Sequence, residues 1–449
     1  MSVRAVVCLG WGCCALWALA GAPPACADPP APAPAASDRD VARDDEIADL
    51  KRQLSTVVDE VEKLRAQVAA PEQETELKAQ NGFGPAAAKV YSIAKGVSIG
   101  GYVEGHYGFK DMGDARGDNE ANLDREVLYL GYKFNDWIAW TSEIEFENAT
   151  TEENGSVTVE FSTLDFMFKP EINARVGVLL LPMGILNEVH EPPFYYSTFK
   201  PQVETAIIPT TWSDYGAGVY GRIGEQLSYR VYLVDGLNAQ GFESGGIREG
   251  RQAASEALAN DLAFVGRLEW EPLAGLSLGT SYYQGNSGQN QKIDVLGSEQ
   301  KLPKAPVSIW ELHSIYRWQG LTLRALYAQS HIGNAGELSS LFSAADHDEP
   351  VISSRMLGGY GEVAYDVMPL LSPGSEMSLE PFFRWEYLDT QNNVPSGFVA
   401  DRQWKQRVYV PGIQFKPIPN VVLKLDYRNV DDFAGKVGDQ VDLGFGLVF

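Results

Sequence analysis

The sequence predicts an all-β fold, a transmembrane antiparallel β-barrel of about sixteen strands preceded by a short N-terminal coiled-coil helix. Three observations support this prediction. The 449-residue chain contains 20 Tyr, 19 Phe and 44 Gly, a composition typical of such barrels. Beyond residue 27 it has no run of about 18 apolar residues that could form a membrane-spanning helix. From Val97 onward, apolar residues recur at every second position, which is the period of a strand with two unlike faces.

The first 27 residues are expected to be a cleavable secretory signal. Arg4 precedes an apolar stretch that runs to Ala20, and residues 25–27 supply the small side chains of a cleavage site. An alternative is that Cys26 carries a lipid, although the residues before it lack the bulky aliphatic side chain of such sites. All four cysteines lie at or before residue 26, so the expected mature chain can form neither a disulfide framework nor a thiolate metal site.

A linker and a helical segment follow. Residues 28–39 are rich in Pro and Ala and are expected to be a linker. Within residues 40–70, apolar residues recur at alternating spacings of three and four, the heptad pattern of a coiled coil. These residues are Ile47, Leu50, Leu54, Val57, Val61, Leu64 and Val68. The pattern allows a dimer or a trimer, and a single amphipathic helix is the alternative. Residues 71–96 are expected to be a polar, Ala-rich connector.

The barrel is expected to occupy residues 97–449. Its last segment alternates apolar residues with small or polar ones and ends on Phe449, which resembles the assembly signal of bacterial outer-membrane proteins. Short turns alternate with longer polar segments, so the short turns and both chain ends are expected on the periplasmic side, together with the coiled coil. The expected strands are 97–109, 121–134, 136–148, 156–169, 173–181, 216–223, 227–236, 260–271, 276–285, 306–317, 321–331, 354–367, 376–389, 402–416, 420–430 and 439–449.

The same alternation predicts which charged side chains face the lumen. An Arg or Lys on the lipid face costs about 2–4 kcal/mol at the membrane midplane, so charges are expected inside. The candidate pore-lining residues are Arg222, Arg230, Arg267, Arg317, Arg324, Arg384, Lys424, Arg428, Glu143, Glu145 and Glu147. Charges of both signs suit a water-filled channel, because isolated ions are costly to bury dry. The alternative is that these charges pair with one another and only support the wall.

Residues 182–215 form a long interruption rich in proline and aromatic residues, with little strand periodicity. We expect this segment to fold inward and narrow the pore. The constriction candidates are His190, Glu191, Lys200, Glu204 and Asp214. The alternative is a lid packed over the rim of the barrel.

Charge and histidine content bear on other classes of function. The net charge is −24 and there is no basic stripe, which argues against a nucleic-acid partner. The five histidines show no spacing typical of a metal site or of a Ser-His pair, so we expect no enzyme, no metal and no cofactor.

Three segments resemble the phosphate-selective porin O and P family: RVGVLLLPMGILNEVHEPPFYYS, IIPTTWSDYGAGVYG and LSYRVYLVDGLNAQGF. The resemblance extends over about residues 97–449. It implies sixteen strands, a homotrimer and passive diffusion of anions such as phosphate. Members of that family with a preference for phosphate have stacked arginines and a cluster of lysines. In this sequence the arginines expected in the lumen alternate with glutamates, and residues 182–215 contain one lysine.

The expected function is therefore that of a bacterial outer-membrane porin, surrounded by lipid and lipopolysaccharide, through which small polar solutes diffuse. Two other classes were considered. A structural or adhesive barrel without solute selectivity would have a plugged lumen, and a barrel enzyme would have a nucleophile and a base near one rim.

Overall fold

The computed structural model describes residues 47–60, 78–111, 119–152, 154–345 and 350–449, apart from the side chains of residues 111, 436 and 437. The chain divides into two units, residues 1–75 and residues 76–449. The expected signal and linker, residues 1–39, lie outside the described residues. Within the described ranges, no helix is both long enough and apolar enough to cross a membrane.

Residues 47–60 of the first unit are helical and form α1. The four heptad residues in this range, Ile47, Leu50, Leu54 and Val57, are exposed, with Leu54 at 64 %. An exposed apolar seam on a helix is typical of a surface that a partner covers. Val61, Leu64 and Val68 lie outside the described residues, so the coiled coil stays a prediction.

The second unit contains a closed antiparallel barrel of sixteen strands, which confirms the predicted fold class and strand number. Neighbouring barrel strands along the chain pair with each other, and the last strand closes on the first with Val448 opposite Tyr102. Two further short strands, β10 and β11, form a separate hairpin. The strands are β1 Gly96–Asp111, β2 Glu120–Asn135, β3 Ile138–Glu147, β4 Ser156–Lys169, β5 Ile172–Leu180, β6 Ser213–Ile223, β7 Leu227–Val234, β8 Ala263–Leu273, β9 Leu276–Asn286, β10 Lys292–Val295, β11 Ser298–Lys301, β12 Pro306–Trp318, β13 Leu321–Ile332, β14 Arg355–Tyr365, β15 Ser378–Asn393, β16 Lys405–Ile418, β17 Val421–Asp432 and β18 Lys436–Val448.

The two ends of the barrel differ in their connections. We call one end the turn end: it carries Gly96, Phe449 and short connections, together with residues 366–377, which include α5 Met368–Leu371. The other, the loop end, carries most of the long connections. These include loop L3 (residues 181–212, with α3 Val203–Ala206), loop L4 (residues 235–262) and residues 333–354, with α4 Ala335–Ala345.

Side chains alternate between the two faces of the wall. On β17, Leu423, Leu425 and Tyr427 are exposed on the outer face, whereas Lys424 and Asp426 are buried on the inner face. This alternation places apolar side chains toward lipid and charged side chains toward the lumen.

A β-bulge between β3 and β4 breaks the alternation. The register passes from Glu143 opposite Phe161 to Ile144 opposite Val159, which leaves Glu160 as the additional residue. A bulge lets two successive side chains point to the same face. Phe161 is buried, and Glu160 Oε1 accepts a hydrogen bond from Thr211 of L3 at 3.2 Å. Glu160 therefore faces the lumen, which simple alternation did not reveal.

Phe449 closes the barrel at the turn end. Its backbone N–H donates to Gly101 at 2.9 Å and its carbonyl accepts from Gly101 at 3.0 Å. A Cβ atom added to Gly101 would lie 2.7 Å from the Phe449 ring, so the ring covers the space that a side chain would need. An aromatic ring over a strand glycine in this way stabilises the pairing of the two strands.

Candidate functional site

Loop L3 lies inside the barrel rather than over its rim. It crosses the lumen to β17, where the backbone N–H and the hydroxyl of Thr198 both donate to Asp426 Oδ2 at 2.7 Å. Lys424 Nζ on the same strand donates to the Ser197 carbonyl at 3.1 Å. The returning part of the loop is held on β15, where Glu386 Oε2 accepts from the Gln202 N–H at 2.7 Å.

Ion pairs fix L3 and join the wall strands. Arg230 Nε lies 3.1 Å and Arg267 Nε 3.9 Å from the Glu188 carboxylate of the loop. Arg384, which is 2 % exposed, lies 2.8 Å from Glu386 and 3.5 Å from Glu362, and it also donates to the Ser197 hydroxyl. Arg324 Nη1 lies 3.3 Å from Glu362 as well. The structure thus places these four candidate arginines in ion pairs.

Two constriction candidates have structural contacts of their own. Glu204 Oε2 accepts from the N–H groups of Ile185 and Leu186, both at 2.8 Å, and its Oε1 accepts from the Tyr360 hydroxyl at 2.6 Å. Glu204 therefore joins the two halves of L3 to each other and to β14. Asp214 is the second residue of β6 rather than part of the loop; it is buried and accepts a hydrogen bond from the Trp212 indole.

His190 is enclosed between L3 and the β3 wall. Its Nδ1 lies 3.1 Å from the Asn187 carbonyl and its Nε2 lies 3.4 Å from Glu143 Oε1. Burial lowers the pKa of His190 to about 4. The imidazole is therefore uncharged near neutral pH and does not provide a cationic contact for a solute.

A helix that the sequence did not predict occupies the turn end of the lumen. Helix α2, Pro85–Ser92, lies within the segment expected to be a plain connector. A Cβ atom at Gly100 would be 2.6 Å from the Ala86 carbonyl oxygen, and one at Gly131 would be 2.9 Å from Val90. Gly100 and Gly131 are buried inner-face positions of β1 and β2, so the helix lies against the inner wall.

Aromatic residues at both ends of this segment anchor it to the wall. The Phe83 ring lies 4.8 Å from the ring of Phe161, and the Arg175 guanidinium lies 4.2 Å above it. The Tyr91 hydroxyl donates to Asp165 and accepts from Arg175 Nη2 at 3.0 Å. Arg175 Nε also donates to Asp165 at 2.6 Å. Arg175 was missed as a functional candidate, and its place beside Phe83 could not be foreseen without the tertiary contacts.

The loop end of the lumen is filled on one side. Buried side chains of L3 and L4, including Ile207, Trp212 and Phe242, form an apolar cluster with inward residues of the β7–β14 wall such as Tyr283 and Ile309. This packing excludes water from that side. Open space in the lumen is therefore expected along the opposite wall.

A cavity of about 520 Å³ lies along that opposite wall, at the loop end. Its lining includes Glu104 of β1, Asp124 and Arg125 of β2, Glu147 of β3 and Arg428 of β17, together with Tyr195, Phe199 and Lys200 of L3. Of the sixteen candidate residues, this cavity brings together Lys200, Arg428 and Glu147. Asp124 and Arg125 lie beside a bulge in β2. A strict alternation of inward and outward side chains therefore does not predict the face on which they lie.

The carboxylates of the cavity already have partners. Glu104 accepts a hydrogen bond from the Tyr195 hydroxyl and lies 3.2 Å from Arg125 Nε. Asp124 lies 2.8 Å from His106 Nδ1. The Ser156 hydroxyl donates to Glu147 at 3.0 Å. Their capacity to accept hydrogen bonds is therefore partly used.

The cations of the cavity keep unused donors. Among the described residues, Arg125 Nη1 and Arg428 Nε are buried without a hydrogen-bond partner. Arg125 Nη1 lies 3.9 Å from Glu145 Oε2, and Arg428 Nη2 donates to Gln440 at 2.8 Å. Lys200, which also lines the cavity, forms no ion pair with another described residue. Burial, and next the neighbouring Arg125, lower the pKa of Lys200 to about 8. Lys200 is still mostly charged at neutral pH, so the cavity can accept an anion.

The remaining candidates lie elsewhere. Arg222 is at the turn end, half exposed, and its Nη2 lies 2.8 Å from Glu271. Arg317 is exposed near the same end, whereas Glu143 and Glu145 are buried on β3 beneath the cavity. In the described part of the chain, no group of three or more His, Cys, Asp or Glu side chains is arranged to hold a metal ion.

The chain matches no known protein-family model. It is 36 % identical over 378 residues to an uncharacterized protein of Aquifex aeolicus, with 82 % of this chain and 83 % of the relative covered. The two proteins belong to one family. The name of the Aquifex relative assigns no activity.

Solved structures show the same fold at low sequence identity. OprB of Pseudomonas putida has a TM-score of 0.54 at 10 % identity and covers 79 % of this chain and 94 % of its own. The outer membrane channel DcaP of Acinetobacter baumannii has a TM-score of 0.51 at 13 % identity, covering 79 % of this chain and 98 % of its own. OmpT of Vibrio cholerae, in its trimer form, has a TM-score of 0.50 at 11 % identity, covering 80 % of this chain and all of its own. The fold of this chain is that of outer-membrane porins.

Proposed function

We propose that the protein is an outer-membrane porin through which small polar solutes diffuse passively, with a preference for anions. The observation that carries this proposal is the cavity on the β15–β3 side of the lumen, which the cations Arg125, Lys200 and Arg428 line and where Arg125 Nη1 and Arg428 Nε have no hydrogen-bond partner. Sixteen-stranded barrels are wide enough to leave an aqueous channel. The proposal assigns the protein no catalytic activity.

The preference for anions follows from hydrogen-bond capacity rather than from net charge. Lumen side chains act on a passing ion within a Debye length of about 8 Å at physiological salt, whereas carboxylates on distant loops are screened. In the cavity, each acidic side chain has a partner, whereas Arg125 and Arg428 each keep one nitrogen without a hydrogen-bond partner in addition to their contacts with Glu104 and Gln440. An oxyanion such as phosphate or a carboxylate could accept hydrogen bonds from these cationic side chains.

Membrane location and assembly are part of the same proposal. The exposed outer-face residues are largely apolar and include Phe383, Trp385 and Leu425, as lipid contact requires. A homotrimer is proposed because the exposed seam of α1 suits association and because OmpT of Vibrio cholerae has a trimer form.

A structural barrel without transport is the second candidate. The apolar cluster on the β7–β14 side and helix α2 both occupy lumen space, as a plugged barrel would require. The cavity on the other side favours the porin.

Planar-bilayer recording of the purified full chain separates the two. We expect discrete channels whose reversal potential in a KCl gradient indicates a preference for chloride, and a reduced current when phosphate is added. Lys200→Met should shift the reversal potential toward cation preference, whereas Lys292→Met should not, because Lys292 is exposed and pairs with Glu299 outside the barrel wall. The absence of channels would favour the structural barrel.

A further inference from the structure

We propose that residues 78–95, which include α2, form a second constriction of the pore at the turn end and limit the size of solutes that pass there. This inference rests on the proposed porin function. The first observation is placement: α2 contacts the inner faces of β1 and β2, and Lys133 of β2 donates to the Tyr91 carbonyl at 3.1 Å.

The width of α2 is a substantial fraction of the diameter of the lumen. Sixteen strands about 4.8 Å apart and tilted by about 40° give a backbone diameter of roughly 32 Å. A helix with its side chains is about 10 Å wide. Since wall side chains also project inward, α2 and the residues beside it narrow the lumen on the side of β1–β5.

The segment is held too firmly to be a passive connector. Phe83 is 1 % exposed and lies between the Phe161 ring and the Arg175 guanidinium. Tyr91 shares a hydrogen-bond network with Asp165 and Arg175. Burial of an aromatic side chain in this way stabilises the segment, and a cation over the ring adds to this stabilisation.

The two constrictions contact each other. Glu191 of L3 accepts a hydrogen bond from the Ala86 N–H at 3.0 Å, in the first turn of α2. The first turn of a helix has N–H groups without partners inside the helix, so a side-chain oxygen that accepts a hydrogen bond from one of them stabilises the helix. At Gly82, which has a φ of +82°, a Cβ atom would lie 2.4 Å from Glu188 of L3. L3 thus holds α2 from the loop side while the wall holds it laterally.

The first test removes the constriction. Residues 78–95 are deleted in one variant, and Phe83→Ala is combined with Tyr91→Ala in another. The control is Tyr132→Ala with Phe134→Ala, which removes the same residue types from the outer face of β2 near the same end. Single-channel conductance is recorded while polyethylene glycols of graded size are added to one side at a time.

We expect the deletion to raise conductance about twofold, because two similar resistances in series are reduced to one. The size of polymer that enters from the turn end should increase, and the size that enters from the loop end should stay the same. Equal conductance and equal polymer limits in the wild type and both variants would overturn the second constriction and leave the porin proposal intact. No current from the wild type or from any variant would overturn the porin proposal itself. Current only from the variants would support the inference, with α2 closing the channel.

A second test keeps every contact of α2, in case the variants do not fold. In a chain whose four natural cysteines, all at or before residue 26, are replaced by Ser, a single Ser92→Cys at the exposed end of α2 can be modified alone. A bulky thiol reagent there should lower conductance. The same reagent at Ser372→Cys, exposed in the turn-end connection 366–377, should not. Unchanged conductance at both positions would contradict the inference.

Discussion

Arg384 offers the sharpest test of whether the lumen arginines form buried ion pairs that stabilise the barrel or are hydrated residues that line the pore. Its guanidinium is 2 % exposed and lies 2.8 Å from Glu386 and 3.5 Å from Glu362. We would replace it by Met, which has similar length and no charge. Glu386 would then be a buried carboxylate without its cation, because its remaining partners are the N–H groups of Gln202 and Val203.

Arg384→Met should lower the free energy of unfolding by about 3 kcal/mol. Removing one partner of a buried ion pair costs about 3–5 kcal/mol, since the other charge stays buried and unpaired. Glu362 would still be paired with Arg324, which lies 3.3 Å away. Because only Glu386 loses its cation, we expect a cost at the lower end of this range, about 3 kcal/mol. The matched control is Arg222→Met. Arg222 and Glu271 are both about half exposed, and such a surface pair contributes about 0–1 kcal/mol.

The assay is urea unfolding of the barrel in lipid vesicles, followed by tryptophan fluorescence, with the free energy of unfolding compared among variants. A double variant, Arg384→Met with Glu386→Gln, should lose less than Arg384→Met alone, because the unpaired charge is gone. A loss below 1 kcal/mol together with a shift of the reversal potential would refute the reasoning. Arg384 would then be a hydrated pore residue.

Three further outcomes are expected. Deletion of Phe449 should reduce the yield of heat-modifiable, folded barrel on gels, because two backbone hydrogen bonds between β18 and β1 go with it; an unchanged yield would contradict this role. Deletion of residues 40–70 should weaken oligomers without unfolding the barrel, and unchanged crosslinking would mean that α1 is a monomeric helix. Raising the pH from 7 to 9 should reduce anion preference, since the Lys200 ammonium is charged below its pKa of about 8 and neutral above it; a preference equally pH-dependent in Lys200→Met would rule this out.

The pairing of the lumen charges could not be predicted from the sequence. Alternation gives the face of the wall on which a side chain lies, but not the partner that reaches it. Arg222 and Arg384 have the same parity, yet one lies in solvent at the turn end and the other lies under L3. Bulges add a second limit, because one extra residue in a strand reverses the alternation, as at Glu160.

The amino-acid sequence by itself determined the barrel. Lipid on one side and a polar lumen on the other impose a period of two on each strand, and turn length separates the two ends, so strand number and wall orientation were predictable from local patterns. Only the tertiary structure decided what occupies the lumen. The path of L3 depends on partners such as Asp426, more than 200 residues away along the chain. Helix α2 is eight residues long and Ala-rich, too short to show a period of its own, and it is stabilised by Arg175 and Glu191 from distant segments.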